Sequence, residues 1–285
     1  VIDSPALLTI DNPFAPDATR VRLLEPADAD RAAVAARLRS GTYDKPFIAD
    51  DGTTRALHFC WRYVQSRMRI DEPVALQMPY TRAMMSFLLF HAHPRALLLL
   101  GLGGGSLAKY CHRHLPQARI VAVESNRDVL ALRHEFAVPP NDDRFQVIAD
   151  DAGAFVRASR DRFDVVLMDA FDRDGLAPGL RREECYEELR ARLHPDGTLV
   201  ANVAGSNAER AAHLETIRRL WNDNVLVLPV EEDGNDVAFA FCDPTFEPRW
   251  RWIDGQADAM RRRYGIEFPT LARRLRNARR DTPVL

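Results

Sequence analysis

Four leucines in succession, Leu97 to Leu100, run straight into a glycine-rich turn: residues 97–106 read LLLLGLGGGS. An unbroken apolar run suits a central parallel strand covered on both faces. Gly101, Gly103, Gly104 and Gly105 let the backbone turn sharply and let a ligand approach without side chains in the way. Helical spacing follows over residues 107–114, so the turn should deliver free backbone N–H groups at a helix N-terminus. Strand, glycine turn and helix in that order predict a nucleotide-binding corner, although packing alone also produces such turns.

The residues that follow add acids to the corner. The second apolar strand, RIVAVE at 119–124, ends in Glu124, about twenty residues past the glycines, where a carboxylate can accept from ribose hydroxyls. A third strand over 145–149 runs into Asp150-Asp151-Ala152. A fourth over 163–168 runs into Asp169-Ala170-Phe171-Asp172. Helix capping accounts equally well for Asp151 and Asp174. It does not explain why Glu124, Asp151, Asp169 and Asp172 gather at the strands' C-terminal edge, where open α/β sheets bind ligands.

Seven strands are marked in chain order by Leu97, Ile120, Phe145, Val165, Thr198, Val225 and Val237. The last two, over 224–230 and 236–242, are joined by EEDGN, short enough for a hairpin, so one final antiparallel strand should close the sheet. That pattern resembles the class I S-adenosylmethionine-dependent fold; doubly wound nicotinamide folds usually lack it. The third glycine of GxGxxG is replaced by Ser106, and no Gly-Lys-Ser/Thr follows. Upstream, residues 27–40 predict a short helix opened by Asp28. Residues 47–78 turn to a β pattern in FIADDG, RALHFCWRYVQSRM and PVALQM, with Asp51-Gly52 as a hairpin turn. Residues 80–92 predict an amphipathic helix. The expected fold is therefore α/β: a Rossmann-like, seven-stranded, mostly parallel sheet with an antiparallel last strand, preceded by a small β-rich domain. The division is 1–75 for the N-terminal segment and β-rich domain, 76–245 for the catalytic domain, and 246–285 for an arginine-rich helical extension.

Composition narrows the function classes. A formal charge of −2 over 285 residues argues against nucleic acid as a partner, and the arginines at 261–263, 273–274, 276 and 279–280 read as a solvated helical face. No apolar run reaches the eighteen or so residues that cross a bilayer, and VIDSPALLTIDNPF at the start lacks the pattern of a signal peptide. Cys60, Cys111, Cys185 and Cys242 show no CxxC spacing, so a reduced, cytoplasmic setting is expected. No metal is expected: His91 and His93, like His112 and His114, stand two apart, which on a helix points them to different faces.

At this point the residues resemble a family. Residues 47–242 look like the spermidine synthase family and its bacterial spermidine-synthase-like relatives, through GLGGGSLAKY, DDAGAF, and MDAFDRDGLAP with the following Leu180. VQSRM and PYTRAMM are similar to the relatives' junction between β domain and core. The resemblance implies aminopropyl transfer from decarboxylated S-adenosylmethionine to a polyamine or related amine, by a homodimer. It implies a nucleoside loop at Gly101, Gly103, Gly104 and Gly105, ribose binding by Glu124, and adenine contacts from Asp151 and Ala152. It implies Asp169 as catalytic base and Asp172 as amine anchor, with Gln65 and Tyr80 toward the sulfur and the amine. The chemistry supports Asp169 independently: an alkyl amine with a pKa near ~10 must lose a proton before it attacks. Three positions depart from the pattern. Gly104 stands where the family has an aspartate that reaches the donor's free amine, Tyr80 lacks the preceding acids, and Arg173 follows Asp172 in place of proline. These keep two alternatives open: an S-adenosylmethionine-dependent small-molecule methyltransferase, and a non-catalytic nucleoside-binding relative.

Overall fold

The computed structural model describes residues 7–14, 19–173 and 175–280. Its N-terminal part is a five-stranded antiparallel meander in chain order: β1 (Leu8–Asp11), β2 (Arg20–Leu23), β3 (Phe47–Asp50), β4 (Thr54–Cys60) and β5 (Tyr63–Arg69). The Asp51-Gly52 turn joins β3 to β4 as expected, with Asp51 Oδ1 accepting from the N–H groups of Thr53 and Thr54. Helix α1 (Arg31–Ser40) is opened by Asp30 rather than Asp28, because the Asp30 carboxylate meets the N–H groups of Ala32 and Ala33. The run RALHFCWRYVQSRM is two strands folded back at Trp61-Arg62, and PVALQM forms turns instead of a strand.

The expected amphipathic helix at 80–92 is α2 (Pro79–Met84) followed by a 3₁₀ segment, Met85–Leu89. Ala83 through Leu89 are all buried, so apolar residues fall on every side and the 3.6-residue period carries no information there.

The second sheet carries all seven expected strands: β6 (Ala96–Leu100), β7 (Arg119–Glu124), β8 (Phe145–Ala149), β9 (Phe163–Met168), β12 (Leu193–Val203), β13 (Val225–Val230) and β14 (Asn235–Phe241). Between β9 and β12 the chain forms a two-stranded ribbon, β10 (Phe171–Asp172) with β11 (Gly175–Leu176). The sheet order is β13-β14-β12-β9-β6-β7-β8. Strands β8, β7, β6, β9 and β12 are parallel, and β14 runs antiparallel between β12 and β13. Strand β6 alternates its leucines between two cores: Leu97 and Leu99 pack on one face, Leu98 and Leu100 on the other. Helix α3 (Ser106–His114), α2, α8 (Trp250–Tyr264) and α9 (Phe268–Arg280) cover the first face; α5 (Ala152–Ala158), α6 (Glu183–Arg192) and α7 (Asn207–Leu220) cover the second, and the short α4 (Arg127–Ala131) follows β7. Each fully buried leucine contributes roughly 1.5–3 kcal/mol of transfer free energy. Double coverage is what makes the unbroken LLLL run favourable. Chain order reverses between β6 and β9, so the crevice beyond their C-terminal ends is the sheet's topological switch point.

Candidate active site

The glycine turn closes on its own strand ends. Gly101 donates to Val123 O, Leu102 and Gly103 donate to Glu124 Oε2 at 3.0 and 3.3 Å, and Gly105 donates to Leu102 O. Of the turn's N–H groups, two are thus engaged by a carboxylate and two by carbonyls, while α3 begins at Ser106 without a side-chain cap on its first N–H groups. A pyrophosphate brought to this turn would meet the negative charge of Glu124, whereas a neutral ribose would meet acceptors. Glu124 Oε1 also accepts from Asn126 N–H at 2.8 Å, so both oxygens are fixed in place. A Cβ built on Gly103 meets nothing within 4 Å. The tip of the turn is thus open beside a held carboxylate.

Gly101 brings the two halves of the site together. Its φ is +93°, and a Cβ there would lie 2.2 Å from the carbonyl oxygen of Asp169. Asp169 N–H donates to Leu100 O, so the residue leaving β9 is tied to the end of β6. Its carboxyl accepts from Tyr80 Oη at 3.1 Å on Oδ2 and from Asn202 Nδ2 at 2.8 Å on Oδ1. Asn202 Oδ1 accepts in turn from Asn235 Nδ2 at 3.1 Å. Burial raises the Asp169 pKa above the ordinary carboxylate value, opposed by the donors Asn202 and Tyr80. Tyr80 is held well above its usual range by burial and by the Asp169 charge, so it stays a donor.

Other expected residues take recognisable places. Asp172 sits half-buried on β10, three residues past Asp169. Asp151 is the N-cap of α5, its Oδ1 accepting from Ala154 N–H at 2.8 Å, so the capping explanation holds for it. Its Oδ2 faces Gly179, where a Cβ would lie 2.5 Å away, and Ala152 is buried behind it. Asp174 lies outside the described residues. Gln65 is the extra residue at a shift in the β4–β5 register, between the pairs Leu57–Ser66 and His58–Val64. The guanidinium of Arg173 donates to Tyr43 O at 2.6 Å and Phe59 O at 2.9 Å. The cation that looked misplaced beside Asp172 is thus drawn to carbonyls of the N-terminal part.

Gly104 is closed off. A Cβ there would lie 2.6 Å from Ser66 Oγ and 3.1 Å from Phe136 Cδ1, while Ser66 Oγ pairs with Ser106 Oγ at 3.1 Å. Sequence reasoning missed four participants: Ser66, Asn202, Asn235 and Asp233. Asp233 Oδ2 accepts from Tyr80 N–H at 2.6 Å and so holds the start of α2. For Asn202 a signal existed, since it is a lone polar residue in the buried run LVANV. Among the described residues no three His, Cys, Asp or Glu side chains converge as metal ligands, and no helix is long and apolar enough to cross a membrane.

Comparisons with known proteins place the chain in a family. The model of the Spermine/spermidine synthase domain family matches residues 77–228. A polyamine aminopropyltransferase of Chromobacterium violaceum is 32% identical over 236 residues, covering 82% of this chain and 90% of the relative. A probable spermidine synthase from Corynebacterium glutamicum shares the fold, with TM-score 0.62 and 22% identity over 76% of this chain and 83% of that one. So does human methyltransferase-like protein 13 in complex with SAH, with TM-score 0.57 and 20% identity over 73% and 96%. The chain belongs to the spermine/spermidine synthase family and is an enzyme of the transferase class.

Proposed function

We propose that this enzyme moves the aminopropyl group of decarboxylated S-adenosylmethionine onto a polyamine or related small amine. The observation that carries the reading is the Asp169 carboxyl at the switch point, desolvated, met by a donor on each oxygen and backed against the glycine turn. The acceptor arrives as an ammonium, its pKa near ~10. Asp169 binds that ammonium and takes one proton. The freed nitrogen lone pair attacks the methylene carbon attached to the sulfonium. The N–C bond forms, the C–S bond breaks with its electron pair passing to sulfur, and neutral methylthioadenosine leaves. A raised Asp169 pKa lies nearer that of the amine, which makes the transfer less uphill.

In this reading Glu124 receives the ribose hydroxyls on lone pairs that the turn's N–H groups leave open, with Gly101, Gly103, Gly104 and Gly105 beneath. Asp151 and Ala152 border the adenine. Asp172, Tyr80 and Gln65 border the acceptor and the sulfur. Residues 76–245 carry the chemistry, with 1–75 and 246–285 as flanking units.

One observation favours a second reading. Gly104 has no carboxylate, and Ser66 fills the direction in which a side chain would grow, so nothing there reads the free amine of a decarboxylated donor. Methyl transfer from S-adenosylmethionine needs only the nucleoside half of the site and an oriented acceptor. Mass spectrometry of reactions with putrescine and each donor separates the two. The proposal expects an aminopropylated product from the decarboxylated donor; a methylated product, or none from either donor, overturns it.

A further inference from the structure

We propose that Asn235, on the hairpin between β13 and β14, is a positioning residue that fixes which face of the Asn202 amide meets Asp169, keeping Asp169 ionised and ready to take a proton. The inference rests on the aminopropyl-transfer reading above.

The argument is one of hydrogen-bond polarity. An ionised carboxylate only accepts, so Asn202 serves it only by presenting Nδ2. A primary amide can turn over at little steric cost, and then Oδ1 would face Oδ1 across 2.8 Å. What forbids the turn is on the far side: Asn202 Oδ1 accepts from Asn235 Nδ2 at 3.1 Å. Asn202 is 3% exposed, so water is poorly placed to replace that donor. Asn235 is itself held by the hairpin. Arg210 donates to Asp236 Oδ2 at 3.1 Å and to Gly234 O, gripping the chain on both sides of it. On the other side of the turn Asp233 accepts from Tyr80 N–H. The hairpin therefore supports both residues that touch the carboxyl: Asn202 through Asn235, and Tyr80 through Asp233.

The charged and titratable groups around the carboxyl are few. Tyr80 from α2 touches it, and β12 contributes neutral Asn202. The strand residues Leu100 and Met168 are apolar and fully buried. Asp233 acts through Tyr80, with Arg82 and Glu232 acting on Asp233. Arg210 and Asp236 flank Asn235 as an ion pair. Amide polarity is thus the term that one side chain can reverse.

Asn235→Asp makes the reversal. An acceptor in place of Nδ2 draws the Asn202 amide round, and Oδ1 then faces Asp169, which is comfortable only when Asp169 carries a proton. The acid limb of kcat/KM for the amine should move up by about one pH unit or more, equivalent to about 1.4 kcal/mol per unit. Turnover should recover above that limb, and methylthioadenosine affinity should stay within about twofold. Asn235→Leu removes the donor without adding an acceptor and should shift the limb less in the same direction; it also serves if the aspartate variant fails to fold. An unmoved limb in both variants, with the wild type making aminopropylated product, overturns the inference alone. Absence of that product from the wild type overturns the reading beneath it as well.

Discussion

At Gly101 the glycine turn and the acid half of the site touch, backbone to backbone. The sequence reading assigned Gly101 to ligand access; the structure shows that its missing side chain also serves the fold. A Cβ would sit 2.2 Å from Asp169 O, at a φ of +93°. Gly101→Ala should therefore cost about 2–5 kcal/mol, combining left-handed strain with overpacking. Denaturant unfolding measures it, and a loss below 0.5 kcal/mol, on the order of a neutral surface change, contradicts the packing argument. Glu124 and Asp169 were legible because an acid just past an apolar run is a local pattern. The contact between Asn202 and Asn235 was not: the two lie 33 residues apart and meet only because β14 runs beside β12.

Among the elements, α3 forms where the helical spacing over 107–114 placed it, and it buries a lysine. Lys109 lies one turn past the glycines and is 2% exposed. Its ammonium donates to Phe136 O at 2.6 Å and contacts Met68 Sδ at 3.1 Å, with no carboxylate ion pair among the described residues. Burial lowers its pKa from 10.5 to about 7. The unfolded chain then binds the extra proton between about pH 7 and 10.5, so this group makes stability rise with pH through that window. Below pH 7 the buried charge is present in full and its cost is greatest. Lys109→Met should flatten a slope of up to about 1.4 kcal/mol per pH unit and raise the melting temperature most near pH 6. Parallel slopes for the two proteins from pH 7 to 10 contradict a neutralised lysine. The hairpin and the reversed last strand were legible from turn chemistry and strand spacing. The 79–89 segment was legible as helical, but not its burial on all sides or its change to 3₁₀, because residues buried all round carry no period.

At the scale of the whole molecule, the N-terminal sheet is joined to the core beside the glycine turn. Arg22 of β2 and Arg55 of β4 both reach the Glu135 carboxylate, at 2.6 and 2.9 Å, and Arg55 also meets Asp50 at 2.8 Å. The same stretch sends Val138 against Gly105 and Phe136 against Gly104. Side chains in this network are about a fifth exposed, so removing one partner should cost less than the ~3–5 kcal/mol of a fully buried pair. Glu135→Ala should lose about 2–3 kcal/mol and weaken methylthioadenosine binding; unchanged unfolding and affinity contradict a structural link between sheet and turn. These ion pairs were not legible, since Glu135 lies 113 residues from Arg22 and 80 from Arg55. In the proposed function the sheet's switch point joins a nucleoside half and an acid half that can be separated by one atom. Asp169→Asn is satisfied by the same neighbours, with its carbonyl accepting from Asn202 and its amide donating to a rotated Tyr80 hydroxyl. The decisive measurement pairs methylthioadenosine calorimetry with turnover for this variant and the wild type. The account predicts affinity within about twofold and turnover down by roughly 10²–10⁴-fold, whereas turnover within a few-fold of wild type contradicts it.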